Sequence, residues 1–263
     1  YRDTYQLILK VFEVTKDWLG FYFMPFSRLL PYTNNVEFLE IELNRLRDKN
    51  SLALIKFTKH GISRQGMLVQ NIPDVLKTLE TVMEDLSEMG LRPCLGYGTL
   101  LGAYREKQFI AHDDDVDILV EFAEEGLTRQ KAYALRTKLI NQLDPNKYRV
   151  SSESKVLEHL NIHLYLKETN IMVDVFPYWH DGDNVLLHME NMAIRAIPRA
   201  ILSGRTEIQL SNKSFMAPSD TEAFLVERYG ETWNVSDKYH EWLWPIKTQE
   251  IDQKNVSEFD SLS

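Results

Sequence analysis

A single cysteine, Cys94, leaves this chain of 263 residues no internal disulfide framework and no cysteine-ligated zinc site. It fits a reducing compartment. No stretch approaches the roughly 20 consecutive apolar residues of a membrane-crossing helix, and no signal peptide is recognisable. The first residue is Tyr rather than Met, so the expectation is a piece of a longer polypeptide. Basic residues are in the minority, with 30 Lys and Arg against 39 Asp and Glu and a net charge of −9. That balance argues against a broad nucleic-acid-binding face, which needs a cationic excess. A nucleotide ligand stays open, because a bound metal reverses the local sign. Internal repeats and low-complexity tracts are also missing.

What remains is ordinary for a globular protein, with 44% hydrophobic and 26% charged residues. The length suits one large domain, or one domain with an appendage. The most informative run is His112-Asp113-Asp114-Asp115-Val116-Asp117-Ile118-Leu119-Val120. Side chains at i and i+2 share one face of a strand, so Asp115 and Asp117 point together, away from Val116 and Ile118. Carboxylates held that close repel unless a cation lies between them. Hard oxygen ligands select Mg²⁺ or Mn²⁺.

Residues 1–66 read as an N-terminal helical extension, from Leu7, Val11, Val14 and Trp18 and again from Phe38, Ile41, Leu43 and Leu46. Between these stripes an aromatic cluster around Trp18–Phe26 offers two readings for residues 18–32, packing or peripheral membrane contact. Asn71-Ile72-Pro73 predicts a helix capped by Asn71, striped by Val75, Leu79, Val82, Leu86 and Met89, and stopped at Gly90. Pro93-Cys94-Leu95 reads as a short strand, 115–121 as the acidic strand, and Thr128–Leu143 as a helix. Asn161–Leu166 and Ile171–Phe176 read as strands joined by a polar turn, and short strands are expected near 185–189 and 206–210. Ser219-Asp220-Thr221-Glu222 has capping-box spacing for a helix ending at Tyr229-Gly230. The domain proper is expected over 67–245, with 246–263 a polar tail.

Two further elements complete a constellation. Gly98-Thr99 opens a helix directly after a strand, where first-turn N–H groups and the helix dipole suit a phosphate, or where Thr99 serves as a plain cap. Asp174 lies inside the apolar strand Ile171-Met172-Val173-Asp174-Val175-Phe176, where a carboxylate needs a partner or an ion. Should that strand lie beside 115–121, three carboxylates converge in a divalent-cation site for phosphoryl chemistry. His163 reaches the site if it shares that face, and is otherwise a satisfied strand histidine, as is His159. Trp242 and Trp244 read as packing, and the Asn-x-Ser sequons at Asn212, Asn234 and Asn255 decide nothing.

This order of elements is the pattern of the polymerase-β-like nucleotidyltransferase fold, an α/β (α+β) mixed sheet flanked by helices. Gly98-Thr99-Leu100-Leu101-Gly102-Ala103-Tyr104-Arg105, Phe109-Ile110, Asp113-Asp114-Asp115-Val116-Asp117-Ile118 and Val173-Asp174-Val175-Phe176 resemble the signature of the LicD/fukutin family. Phe215-Met216-Ala217-Pro218 and Tyr229-Gly230-Glu231-Thr232-Trp233 are similar to its C-terminal signature, and the resemblance covers about 70–235. The chain departs from the pattern at Glu106, Gln108, Ala111 and His112, in the loop expected to face the acceptor.

The resemblance implies transfer of a phospho-alcohol (phosphocholine, ribitol phosphate or glycerol phosphate) from a CDP-linked donor to a glycan hydroxyl, with release of CMP. It implies Mg²⁺ or Mn²⁺ on Asp115, Asp117 and Asp174, donor contacts from Gly98, Thr99 and Arg105, and a general base in Asp115 or Asp174. Arg105 pairs either with a phosphate or with Asp113. The acceptor is a glycan, lipid-linked or free, and no nucleic acid partner is expected. The alternatives are NMP transfer from an NTP with release of pyrophosphate, or a non-catalytic glycan-binding module. The expected place of work is the cytoplasm at the inner membrane face, or else the Golgi lumen.

Overall fold

The computed structural model describes residues 33–52, 54–58, 61–64, 67–111, 113, 115–151, 160–188 and 194–237. The expectations for residues 1–32, His112, Asp114, His159, Trp242, Trp244, Asn255 and the polar tail fall outside them. The chain divides into two compact units, one built mainly from residues up to 67 and the other from 68–110 and 115–235.

In the first unit, helix α1 (Thr33–Lys49) is followed by an antiparallel hairpin of β1 (Ile55–Thr58) and β2 (Gly61–Arg64). The helix was expected and the hairpin was not, because four-residue strands are too short for their alternation to stand out. Asn44 joins helix to hairpin. Its side chain donates to the Ile55 carbonyl and accepts from the Ile55 amide, both at 2.8 Å. Of the predicted stripe, Leu43 is fully buried, whereas Ile41 is 63% exposed.

A helical turn, α2 (Met67–Gln70), comes next, and helix α3 (Ile72–Glu88) follows it in the second unit. Val75, Leu79, Val82 and Leu86 are buried, as their spacing predicted, and Met89 packs against the core. Asn71 is a correction. Its side chain makes no cap bond and donates instead to the Asp74 carboxylate, leaving Pro73 in the first turn to start the helix. Strand β3 (Pro93–Leu95), helix α4 (Tyr97–Arg105) and strand β4 (Val116–Phe122) follow. Helix α5 (Arg129–Gln142) is capped by Thr128, whose hydroxyl accepts from the Lys131 amide. Then come β5 (Tyr148–Val150), β6 (Ile162–Leu166), β7 (Ile171–Asp181), β8 (Asn184–His188), β9 (Ile194–Pro198) and the turn α6 (Ala200–Ser203). The hairpin β10 (Arg205–Leu210) and β11 (Lys213–Pro218) precedes helix α7 (Thr221–Tyr229). Its N-cap is Asp220, bonded to the Ala223 amide, rather than Ser219 at the start of the predicted box.

A seven-stranded mixed sheet holds this unit together, with β4 and β7 parallel at its centre and β3-β4-β7-β6-β5 in order. Strand β7 runs five residues past the predicted end at Phe176, through Pro177 to Asp181. A proline is tolerated there for a topological reason. One edge of β7 pairs with β6 as far as Val175 and with β8 from Tyr178 onward, so Pro177 sits where neighbours change and a ladder donor is dispensable.

Register divides the residues of β4 and β7 between two faces. Val116, Ile118 and Val120 lie beside Val173, Val175 and Pro177, while Asp117, Leu119 and Glu121 lie beside Asp174, Phe176 and Tyr178. Helix α4 covers the second face. A Cβ at Gly96 would stand 2.9 Å from the Leu119 side chain, and one at Gly102 would stand 2.5 Å from the Gln108 carbonyl oxygen. The glycines around Thr99 are thus partly a packing requirement, because this helix lies too close to its surroundings for a side chain at either position.

Candidate active site

Strand pairing brings Asp117 and Asp174 into direct register on adjacent parallel strands, both almost completely buried and on one face. The strands 115–121 and 171–176 are thus neighbours, but the three carboxylates whose oxygens come together are Asp113, Asp115 and Asp117, with Asp174 outside that group. Asp113, Asp115 and Asp117 each offer an oxygen, and these atoms lie within 4.8 Å of one another. Two carboxylates side by side in the interior repel, and each is held here by N–H donors.

For Asp117 the donors come from α4. The Gly98 amide donates to Asp117 Oδ2 at 2.8 Å, and the Thr99 amide approaches the same atom at 3.4 Å. In return the Asp117 amide donates to Thr99 Oγ1 at 2.9 Å. The first-turn amides of α4 thus grip a carboxylate on the neighbouring strand, a charge the positive end of the helix dipole favours. Gly98 and Thr99, picked out in the sequence for phosphate contact, stand beside Asp117 with their backbone already ordered.

For Asp174 the donor is Asn161, which sequence reasoning passed over. Its side-chain amide lies 3.2 Å and 3.3 Å from the two Asp174 oxygens. His163 is opposite Asp174 in the β6–β7 register, so it does share the face. Its Nε2 is 3.6 Å from Asp174 Oδ2, beyond hydrogen-bond range, and 3.1 Å from the Asn161 amide nitrogen. With Asn161 donating, that ring nitrogen accepts, and Nδ1 faces Ser151 Oγ at 3.4 Å.

Arg105 stands elsewhere. Seven residues after Gly98, it lies about 10 Å further along the helix axis at 1.5 Å per residue. Its guanidinium pairs with Glu106 at 2.7 Å and donates to the Trp233 carbonyl at 3.4 Å. The basic residue that approaches the other end of α4 is Arg228, buried on α7, with its guanidinium 5.9 Å from the Tyr97 ring and 4.9 Å from that of Tyr229. Sequence reasoning treated Tyr229-Gly230 as a helix stop and missed Arg228, whose signal was only a lone basic residue beside that stop. Gly230 does end α7, at φ +82°.

Tyr97 itself adopts φ +36°, in the left-handed region that non-glycine residues rarely enter. Its ring meets Phe176 edge-on at 4.6 Å and Phe224 at 5.8 Å. Burial pushes its hydroxyl far above the usual range, opposed by Arg228 and reinforced by Asp117. The two halves of the sequence signature therefore meet on α4. Tyr97 at its start takes Phe224 and Arg228, and Tyr104 near its end takes Trp233, with ring centroids 5.4 Å apart.

Residues 90–220 match the family model described as LicD/FKTN/FKRP, nucleotidyltransferase domain. No curated protein matches the chain. None of the described helices is long and apolar enough to cross a membrane. The family brings with it transferase chemistry of the phosphotransferase, glycan-modifying type. Through residues 90–220, with Gly98-Thr99 set against Asp117 and Asp117 beside Asp174, the chain belongs to the LicD/FKTN/FKRP family.

Proposed function

We propose that the domain transfers a phospho-alcohol from a CDP-linked donor to a glycan hydroxyl and releases CMP. The observation that carries this reading is the in-register pair Asp117–Asp174 at the N-terminus of α4. A divalent cation fits these residues. The donors are hard carboxylate oxygens, and Asp115 and Asp117 already lie within 4.8 Å of each other and of Asp113. Asp115, Asp117 and Asp174 would hold Mg²⁺ or Mn²⁺, which when bound neutralises charge on the donor diphosphate.

The chain's own groups do the remaining work. The amides of Gly98 and Thr99 hold Asp117 at the N-terminus of α4, whose dipole favours the donor phosphates beside it. An acceptor hydroxyl attacks the phosphorus that bears the alcohol, and its proton passes to Asp115 or Asp174. The new P–O bond joins that phosphorus to the acceptor, and the broken one releases CMP with the bridging oxygen. Arg228 and the Tyr97 ring close the end of α4 nearest the carboxylates. A lipid-linked glycan at the inner membrane face is the acceptor this reading favours.

The test is nucleotide release with Mg²⁺ or Mn²⁺ from CDP-choline, CDP-ribitol, CDP-glycerol and the four NTPs, with and without mixed glycan acceptors. Metal-dependent CMP release from one CDP-alcohol, abolished in Asp115→Asn/Asp117→Asn, is the expected outcome. Pyrophosphate from an NTP would replace this reading with nucleotidyl transfer. Specific glycan binding without release of any nucleotide would replace it with a binding module.

A further inference from the structure

We infer that Asn161 is a positioning residue that fixes Asp174 as the third metal-ligating carboxylate, an inference resting on the function proposed above. Two observations carry it, one at each end of the Asn161 residue. Its side-chain nitrogen reaches both Asp174 oxygens, at 3.2 Å and 3.3 Å, so the carboxylate is gripped across its fork and its plane is set. The orientation of the amide follows from charge, because its oxygen turned toward Asp174 would face a like-signed atom. A carboxylate has about four lone-pair directions, so donation from one side leaves the others for a cation.

At the other end the backbone is anchored. Arg136 on α5, 2% exposed, donates from Nε to the Leu160 carbonyl at 3.1 Å and from Nη2 to the Asn161 carbonyl at 3.2 Å. The guanidinium thereby pins residues 160 and 161 just ahead of β6. A side chain on a fixed backbone loses little freedom when it holds Asp174, which is the condition for orienting a ligand rather than following it. His163 steadies the same amide from the side at 3.1 Å. Nothing in this chain of contacts is required for β6 to pair with β7, since the ladder from Ile162 to Leu166 is complete without it. A polar side chain half-buried ahead of the first ladder residue and aimed at an acidic strand residue is an orienting group.

The readout is Mn²⁺ affinity of the full chain, measured by electron paramagnetic resonance without nucleotide, beside thermal unfolding. Asn161→Leu keeps the size and removes the donor, and Asn161→Ser keeps a shorter donor. Outer-shell removals of this kind weaken metal binding by about 10- to 100-fold. Asn161→Leu is expected to fall in that range with its melting transition still cooperative, and Asn161→Ser to lose less. Should Asn161→Leu not fold, the Ser variant alone decides. Unchanged Mn²⁺ affinity in a folded variant would overturn the inference and leave the proposed function standing. Asp174→Asn separates the two failures. If it binds Mn²⁺ as tightly as the unaltered chain, Asp174 is no ligand and the inference about Asn161 falls; if the unaltered chain binds none, the metal reading itself falls and Asn161 with it.

Discussion

Near either end of the same strand pair stands a carboxylate on the same face, and the two are treated in opposite ways. At one end Asp117 lies beside Asp174, and both accept from uncharged amides, those of Gly98 and Asn161. Four residues along, Glu121 lies beside Tyr178 and is met by two arginines and a histidine. Arg92 approaches it at 3.3 Å, His180 Nε2 at 3.2 Å and Arg205 at 3.8 Å, while the Tyr178 hydroxyl reaches it at 3.4 Å. Arg205 also donates to that hydroxyl. The Glu121 end is electrostatically finished by the chain and serves to join β3, β4, β7 and β10. The Asp117 end sets two carboxylates side by side, with Asp113 and Asp115 close by, the arrangement on which the proposed metal site rests. Asp117 is buried and the Glu121 side chain only 11% exposed, so burial does little to separate the two ends, and the groups that meet each carboxylate do more.

The largest effect that tests this contrast is catalytic. Asp117→Asn keeps a side-chain oxygen for the Gly98 amide but removes the charge, and nucleotide release should fall by roughly 10³-fold or more. Metal-free thermal stability should hold or rise, since a buried repulsion is relieved. A marked drop in melting temperature would break the contrast at this end.

Next is Glu121→Leu, which removes the carboxylate shared by Arg92, Arg205 and Tyr178 and should cost about 1–3 kcal/mol in urea unfolding. Turnover per folded molecule should change by less than about threefold, well below the 1.4 kcal/mol of a tenfold effect. A catalytic collapse in a folded Glu121→Leu protein would show that the two ends are not separable.

Gly102→Ala probes how tightly α4 must sit over the carboxylates. The new Cβ would meet the Gln108 carbonyl oxygen at 2.5 Å, so the helix must shift, at a cost of about 1–3 kcal/mol. Release of CMP should weaken along with stability, because Gly98 and Thr99 move with the helix. Full activity beside a lost melting temperature would show that the exact seat of α4 is unimportant.

The mildest test is the pH response of Cys94, which lies beside Leu119 near the Glu121 end. Burial, opposed by Arg205, pushes its thiol up from 9.0 to about 11. The folded state therefore binds this proton more tightly than the unfolded state does. The stabilisation is present below the unfolded value and is lost between pH 9 and about 11, at up to roughly 1.4 kcal/mol per pH unit. Alkylation at pH 8 should need unfolding first, and rapid labelling of folded protein would mean that this end opens.

Much of the site was legible because its parts obey local rules. Alternation exposed Asp115 and Asp117, the apolar surroundings of Asp174 marked it as costly, and a glycine-threonine after a strand marked the start of α4. What escaped depends on pairings that no local period records. Asn161 precedes its strand by one residue and matters only through the β6–β7 register. Arg136 interrupts the apolar pattern of α5 and is explained only by the carbonyls it meets at 160 and 161. The early end predicted for β7 came from reading Pro177 as a breaker, when only its change of neighbours makes it harmless.

That proline also marks a fork. Beyond Asp174 the sheet divides into two arms on one stem, with β6 and β5 on one and β8 and β9 on the other. The first arm carries Asn161 and His163 and is bound to the chemistry. The second joins the sheet through β7 after the carboxylates have been placed. The pairings that put Asp117 beside Asp174 and Asp174 opposite His163 are made by β4, β7 and β6, so the second arm shares their core without setting that register.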